Sequence, residues 1–116
     1  MRIGELGQAM GVDVETIRYY EKAGLLASPA RTANGYRAYS PTHVERLAFI
    51  RHCRALDMPL AEIKRLLDFV AQPAADCGDI DRLIDEQLAR VRARLKSMQA
   101  LAKQLTTLRA RCDAGH

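Results

Sequence analysis

Three cysteines are the residues of this 116-residue chain with the most selective chemistry: Cys53, Cys77 and Cys112. Thiolates prefer soft or borderline ions such as Cu(I), Zn, Cd, Hg and Pb over hard ions. The sequence has no signal-peptide pattern and no apolar run of the roughly 18 residues that a membrane span needs. We therefore expect a cytoplasmic protein whose odd number of thiols stays reduced. Reduced thiols serve either packing or the binding of a soft metal.

The sequence surroundings of the three cysteines differ. Cys53 lies inside a predicted helix, between a histidine and an arginine, and we assign it to packing. Cys77 follows an acidic residue in a polar loop, where a buried apolar side chain has no evident role, so we interpret it as a metal ligand. Cys112 continues an apolar stripe, and both packing and ligation remain open for it.

One long helix is predicted over 79–112, because no Pro or Gly occurs between Asp79 and Gly115. Such a helix is about 50 Å long. Its apolar residues recur at alternating steps of four and three, which is a heptad seam: Ile84, Leu88, Val91, Leu95, Met98, Ala102 and Leu105. A small domain cannot cover this stripe. The sequence therefore predicts a homodimer in which the same helix of a second copy covers it.

The two candidate ligands lie at opposite ends of that helix, since Cys77 precedes it and Cys112 falls in its last turn. Within one chain they are about 50 Å apart and cannot share an ion. In a parallel coiled coil they stay apart as well. In an antiparallel coiled coil, Cys77 of one chain lies beside Cys112 of the other, so a metal site would exist only in the dimer.

The N-terminal part of the chain predicts a winged helix-turn-helix. A first helix over 3–10 ends at Gly11, and a second helix follows an N-cap at Asp13. Asn34-Gly35 predicts a hairpin with a type I′ turn, which needs positive φ at both central residues. A second helix set in the major groove beside a basic and aromatic hairpin is typical of DNA binding. The net charge of +4 and the pI near 9.2 agree with a polyanionic partner.

The remaining segments complete a mainly α fold. Ser40 and Pro41 predict the start of a third helix, and a fourth is expected over 60–70. We divide the chain into a winged helix-turn-helix with connecting helices (1–70), a loop that carries Cys77 (71–78), a dimerisation helix (79–112) and a metal-binding loop or tail (113–116). The predicted assembly is a coiled-coil dimer, with the parallel and the antiparallel arrangement both open.

These residues resemble the MerR family of transcriptional regulators over essentially the whole chain. The resemblance rests on Ile3-Gly-Glu-Leu6, Val14-Glu-Thr-Ile-Arg-Tyr-Tyr-Glu21, Gly24-Leu-Leu26, Tyr36-Arg-Ala-Tyr39 and His43-Val-Glu-Arg-Leu47. The segments Phe49–Met58, Asp76–Gly78 and Leu83–Glu86 are most similar to the cadmium- and lead-responsive members. The chain is accordingly identified as a member of a family of regulators and not of enzymes.

The resemblance implies a homodimer whose long helices form an antiparallel coiled coil. It also implies that this dimer binds a palindromic promoter whose spacer is too long for RNA polymerase. Metal binding would distort the DNA and align the promoter elements, which is indirect readout. By position, the residues that would contact DNA are Thr16, Arg18 and Tyr19 from the second helix and Arg31, Tyr36 and Arg37 from the hairpin. For Tyr36 and Tyr39 the alternative is packing of the wing against the third helix.

The resemblance also implies that Cys77 and Cys112 ligate the effector, a soft divalent ion such as cadmium or lead, with mercury and zinc as alternatives. Copper sensors of the family typically have Ser at the position of Cys77. The family usually adds a further Cys after the position of Cys112, whereas this chain ends at His116. We favour truncation over completion of the site by Asp113 or His116, or weakened metal binding.

Two other functions remain open from the sequence. The first is that of a DNA-binding dimer that does not sense metal in this form, and the second is that of a metal-sequestering protein without a regulatory role. The second function needs neither a recognition helix nor a wing. No membrane partner is expected.

Overall fold

The computed structural model describes residues 1–72 and 78–114. The chain order is α1 (Ile3–Met10), α2 (Val14–Lys22), β1 (Ala30–Arg31), β2 (Arg37–Ala38), α3 (Pro41–Ala55), α4 (Leu60–Ala71) and α5 (Gly78–Ala114). The elements up to α4 form one compact unit, and α5 belongs to a second. The predicted mainly α class, with a helix-turn-helix, a small hairpin and a long C-terminal helix, is confirmed.

The α1–α2 pair is a tight helix-turn-helix. Leu6 and Ile17 are fully buried, one from each helix. A Cβ at Gly7 would lie 2.6 Å from the carbonyl oxygen of Val12, so only glycine allows this close approach of the turn. Gly11 ends α1 with φ of 64°. Asp13 is the N-cap residue of α2 as predicted, but its side chain makes no capping hydrogen bond.

The hairpin differs from the predicted type I′ turn. Gly35 has φ of 82°, whereas Asn34 is not among the described non-glycine residues with positive φ, a set that contains only Asp57. The amide of Gly35 donates to the carbonyl of Thr32 (2.9 Å), and the amide of Thr32 donates to the carbonyl of Tyr36 (2.8 Å). This is a three-residue loop, a type I turn followed by a left-handed glycine. The hydroxyl of Thr32 also accepts the amide of Tyr36 at 3.2 Å, which favours this turn.

The third helix begins and ends through specific local contacts. Ser40 is its N-cap and Pro41 its first residue, as predicted. At its end, Asp57 adopts φ of 59°, and the amide of Met58 donates to the carbonyl of Cys53 at 3.1 Å. This bond, from the second residue after the helix cap, is that of a Schellman motif, here with aspartate in the left-handed position. Leu47 and Ile50 of α3 and Ile63 of α4 are fully buried and complete the core of the first unit.

The long helix α5 has 37 residues, which corresponds to about 55 Å. It begins one residue before and ends two residues after the predicted range. Asp113 and Ala114 are therefore helical and not part of a loop. The predicted seam is exposed in the single chain, from 36% at Ile84 to 62% at Met98.

Candidate nucleic-acid interface

One side of helix α2 is buried, and the other side is exposed to solvent. Ile17 is fully buried and holds the helix in the unit. Arg18 and Tyr19 are exposed, and Thr16 is half-buried beside them. Tyr19 is 54% exposed although its ring is aromatic, and its centroid lies 6.1 Å from that of Tyr20. The half-buried threonine and the exposed arginine and tyrosine supply donors and apolar contacts suited to a DNA groove.

The hairpin holds the three predicted wing residues in an exposed position. Arg31 donates to the carbonyl of Gly35 at 3.2 Å, which steadies the turn. Tyr36 is 51% exposed, and the guanidinium of Arg2 lies 4.1 Å from its ring centroid. The alternative of wing packing thus does not describe Tyr36. It does describe Tyr39, which is buried and meets the ring of His43 in α3 edge-on at 5.1 Å.

His43 joins the start of α3 to the segment that precedes the hairpin. Its Nδ1 accepts the amide of Ser40 at 3.2 Å, and its Nε2 lies 2.9 Å from the carbonyl of Ala27. Because Nδ1 accepts, the neutral ring carries its proton on Nε2 and donates it to Ala27. This buried histidine therefore has a structural role.

Glu21 ties the hairpin to the end of α2. It accepts the hydroxyl of Tyr39 at 2.5 Å and pairs with the guanidinium of Arg37 at 3.3 Å. Burial, together with the hydrogen bond to Glu21, raises the pKa of Tyr39 above its usual value. These two contacts of Glu21 fix the position of the Arg37 side chain relative to α2. Sequence reasoning missed Glu21, because a glutamate within a basic surface gives no local signal.

A hollow of about 600 Å³ lies between α2 and the hairpin. It is lined by Arg18, Glu21, Lys22, Ser28 and Arg37. Three cations against one carboxylate make this surface attractive to phosphate oxygens. Sequence reasoning also missed Lys22 and Ser28. Lys22 follows Arg18 by one helical turn, so helical spacing could have identified it, whereas Ser28 gives no signal in the sequence.

The cysteines are only partly within the described residues. Cys53 is buried, as predicted for packing, and burial raises the pKa of its thiol. Cys112 is an exposed free thiol in the last turn of α5. The predicted ligand Cys77 and the extra ligand His116 lie outside the described residues. Among residues 1–72 and 78–114, no three side chains of His, Cys, Asp or Glu lie close enough together to hold a metal ion.

A thiolate at Cys112 has the donor chemistry of a soft-metal site, but one thiolate does not complete a coordination sphere. The rest of such a site must come from residues outside the described part or from another chain. Across the described residues, no helix combines the length and the apolar character that a membrane crossing requires.

Comparison with known proteins agrees with the helix-turn-helix and the long helix. The profile of the MerR HTH family of regulatory proteins matches residues 1–70, and a second profile, described as MerR, DNA binding, matches 44–108. The chain is 41% identical over 109 residues to the HTH-type transcriptional regulator ZntR homolog of Haemophilus influenzae, covering 94% of this chain and 81% of the relative.

Two further relatives extend this picture. The mercuric resistance operon regulatory protein of Bacillus cereus is 39% identical over 111 residues, covering 96% of this chain and 84% of that protein. The crystal structure of the transcription regulator PbrR691 from Ralstonia metallidurans CH34, in complex with lead(II), superposes with a TM-score of 0.66 at 46% identity, covering 94% of this chain and 84% of that one. A family profile over more than half the chain, and relatives matched over most of their length, lead to one conclusion: this chain belongs to the MerR family of helix-turn-helix transcriptional regulators, a family without enzymatic activity.

Proposed function

We propose that the chain is a metal-responsive transcription regulator that binds a palindromic promoter as a homodimer and activates RNA polymerase indirectly, by distorting the DNA. The effector is a soft divalent ion, with cadmium or lead favoured over mercury or zinc. The observation that carries the DNA-binding part is the basic hollow between α2 and the hairpin, lined by Arg18, Lys22 and Arg37.

In this proposal the two exposed surfaces have different tasks. Thr16, Arg18 and Tyr19 enter the major groove, where base edges are read. Arg31, Tyr36 and Arg37 contact the sugar-phosphate backbone and fix the register, because phosphate contacts position a protein without reading sequence. Glu21 holds Arg37 at a defined place beside the recognition helix.

The homodimer is supported by the exposed seam of α5. Leu95, Met98 and Leu105 are each more than half exposed in the single chain. Burying one leucine-sized side chain contributes about 1.5–3 kcal/mol, so the stripe strongly favours a partner helix. A second copy of the same helix is the occupant that we propose, because the heptad spacing is that of a self-complementary seam.

Charge favours an antiparallel arrangement of the two helices. The first turns of α5 carry Asp79, Asp81, Asp85 and Glu86 with a single arginine, Arg82. Between residues 87 and 112 there are no acidic residues and seven basic ones: Arg90, Arg92, Arg94, Lys96, Lys103, Arg109 and Arg111. Antiparallel pairing puts the acidic end of one helix beside the basic end of the other. Each surface pair contributes at most about 1 kcal/mol, so these charges select the orientation while the seam supplies the affinity.

The antiparallel pairing brings Cys77 of one chain toward Cys112 of the other. A soft divalent ion, when bound, would link thiolates of the two chains. The exposed thiol of Cys112 is available for this role. The lead(II) complex of PbrR691, at 46% identity, supports the choice of this metal class.

Mixing two inactive variants tests the shared site. Cys77→Ser and Cys112→Ser homodimers each lack one thiolate of every site, so we expect each to lose its cadmium absorption band. A mixed dimer regains one intact site, because the unchanged Cys77 of one chain meets the unchanged Cys112 of the other. Unfolding, mixing, refolding and cadmium titration should therefore restore about a quarter of the wild-type band, since about half of randomly paired dimers are mixed and each has one of two sites.

Cys53→Ala is the matched control, because Cys53 is buried and should leave the band unchanged. No recovery on mixing would contradict the cross-chain site. A full band in both single variants would contradict metal sensing by these thiols. In vitro selection of duplexes tests the DNA-binding part: failure of the wild-type chain to select any duplex would favour the metal-sequestering alternative.

A further inference from the structure

Arg2, which is not among the residues expected to contact DNA, stacks on the ring of Tyr36 at the edge of the hairpin. The guanidinium carbon of Arg2 lies 4.1 Å from the centroid of the Tyr36 ring. Both side chains are exposed, and Tyr36 retains 51% of its accessible surface. The ring therefore orients the guanidinium without removing it from solvent.

The charge of Arg2 has no acidic partner in the part of the chain that the structure describes. The nearby carboxylate of Glu5 accepts the backbone amide of Arg2 at 3.0 Å and forms no ion pair with the guanidinium. Arg2 thus differs from Arg37, whose charge is already paired with Glu21 at 3.3 Å. An oriented and uncompensated guanidinium is suited to binding an external anion.

The stack is not needed to attach the N-terminal segment to the hairpin. The amide of Tyr39 donates to the carbonyl of Met1 at 2.7 Å, and the terminal ammonium of Met1 donates to the carbonyl of Tyr39 at 3.3 Å. These backbone contacts already fix the segment. The side chain of Arg2 is therefore available for a role other than packing.

A shallow hollow lies beside the pair. Its volume is about 260 Å³, and the polar side chains that line it are those of Arg2, Glu5, Thr32, Asn34, Tyr36 and Arg37. The two guanidinium groups outnumber the one carboxylate, which already accepts the amide of Arg2, so the charge of the hollow favours an anion. The planar fork of an arginine matches two oxygens of one phosphate.

We propose that Arg2, held in place by Tyr36, binds a phosphate of the DNA backbone and extends the protein–DNA interface beyond the recognition helix and the wing. The inference rests on the proposed promoter binding and adds to it one phosphate contact in each protomer. Tyr36 then acts both as a DNA contact and as the platform for Arg2.

Salt dependence of DNA binding tests this contact, because each neutralised phosphate contributes about 0.9 to the slope of log K against log salt concentration. The probe is a duplex selected with the wild-type chain, and binding is followed by fluorescence anisotropy between about 50 and 200 mM KCl. We expect Arg2→Gln to reduce the slope by about 0.9 for each bound protomer. At fixed salt we expect a loss of affinity of about tenfold, or about 1.4 kcal/mol.

Two variants separate this contact from general effects. Arg2→Lys keeps the charge and should retain the wild-type slope, with a smaller loss of affinity because the planar fork is gone. Arg65→Gln removes the same charge from an exposed position on α4 and should change neither slope nor affinity. A wild-type slope for Arg2→Gln would overturn the inference alone, whereas a wild-type chain that selects no duplex would overturn the proposed function and the inference together.

Phosphate ethylation provides a second measurement. In each half-site, we expect one phosphate whose ethylation weakens binding of the wild-type chain and has no effect on Arg2→Gln. Identical interference patterns for the two proteins would overturn the inference. If Arg2 had a purely structural role, Arg2→Gln would instead lower the midpoint of thermal unfolding and leave the ethylation-interference pattern unchanged.

Discussion

The hydroxyl of Tyr39 donates a 2.5 Å hydrogen bond to the carboxylate of Glu21, across 18 positions of sequence. This bond joins the end of the hairpin to the last turn of the recognition helix. The same carboxylate pairs with Arg37, so one buried tyrosine and one exposed arginine share an anchor. The spacing between the wing and the recognition helix therefore depends on Glu21.

Removal of the Tyr39 hydroxyl should lower the stability of the first unit. Hydrogen bonds to charged groups contribute about 1.5–3 kcal/mol, and this one is partly buried, so we expect Tyr39→Phe to cost about 1.5 kcal/mol in urea unfolding. Tyr20→Phe is the matched control, since the Tyr20 hydroxyl has no partner among the described residues, and it should change stability by less than about 0.5 kcal/mol. Equal effects of the two substitutions would contradict the role of the Tyr39–Glu21 bond.

Alkaline pH should lower the free energy of unfolding through the ionisation of Tyr39. Burial and the bond to Glu21 raise the pKa of Tyr39 above 10.0 in the folded chain. Above that pH the unfolded chain loses the proton first, so the native state holds more protons and its stability falls as pH rises. The loss continues until pH passes the folded pKa. Urea unfolding between about pH 9 and pH 11 should show a steeper decline for the wild type than for Tyr39→Phe. A constant difference between the two proteins over this range would contradict the prediction.

Two glycines in open space should respond in opposite ways to alanine. Neither Gly4 nor Gly35 has an atom within 4 Å of an added Cβ, so backbone conformation alone decides the result. Gly35 has φ of 82°, and alanine there should cost about 1–2 kcal/mol. Gly4 lies in α1, and alanine there should stabilise by about 0.4–1 kcal/mol. Thermal unfolding of the two variants checks both signs, and a stabilising Gly35→Ala would contradict the assigned turn.

Polar substitution in the seam of α5 should dissociate the proposed dimer. Leu95 and Met98 are 54% and 62% exposed in the single chain, and each should be buried by the second copy. The double substitution Leu95→Gln and Met98→Gln removes about 1.5–3 kcal/mol of dimerisation free energy per side chain. Each loss occurs twice, because the two copies contribute the same residues to the interface. Sedimentation velocity should show monomers for this variant and dimers for Ser97→Gln, which lies outside the seam. A double variant that remains dimeric would exclude this face as the interface.

Local sequence signals determined the helices. These signals are the periodicity of α1, α2 and α5, the cap at Ser40 and the break at Gly11. Each depends on residues within a turn or two of each other, so it can be identified without the fold. The hairpin position was found in the same way from Asn34-Gly35. The type of its turn was not predicted correctly, because the contact of the Thr32 hydroxyl with the amide of Tyr36 competes with the conformation that Asn-Gly favours.

Only the tertiary structure decided which side chains act together. The sequence identifies Arg37 and Tyr36 as wing residues. The structure adds the ion pair of Arg37 with Glu21, which lies 16 positions away in the sequence. It also adds the stacking of Tyr36 against Arg2, which lies 34 positions away. Such contacts depend on where the chain brings distant segments together and leave no periodic trace. Heptad spacing, by contrast, is a local regularity, so the sequence by itself determined the apolar seam of α5 and predicts a partner helix along it.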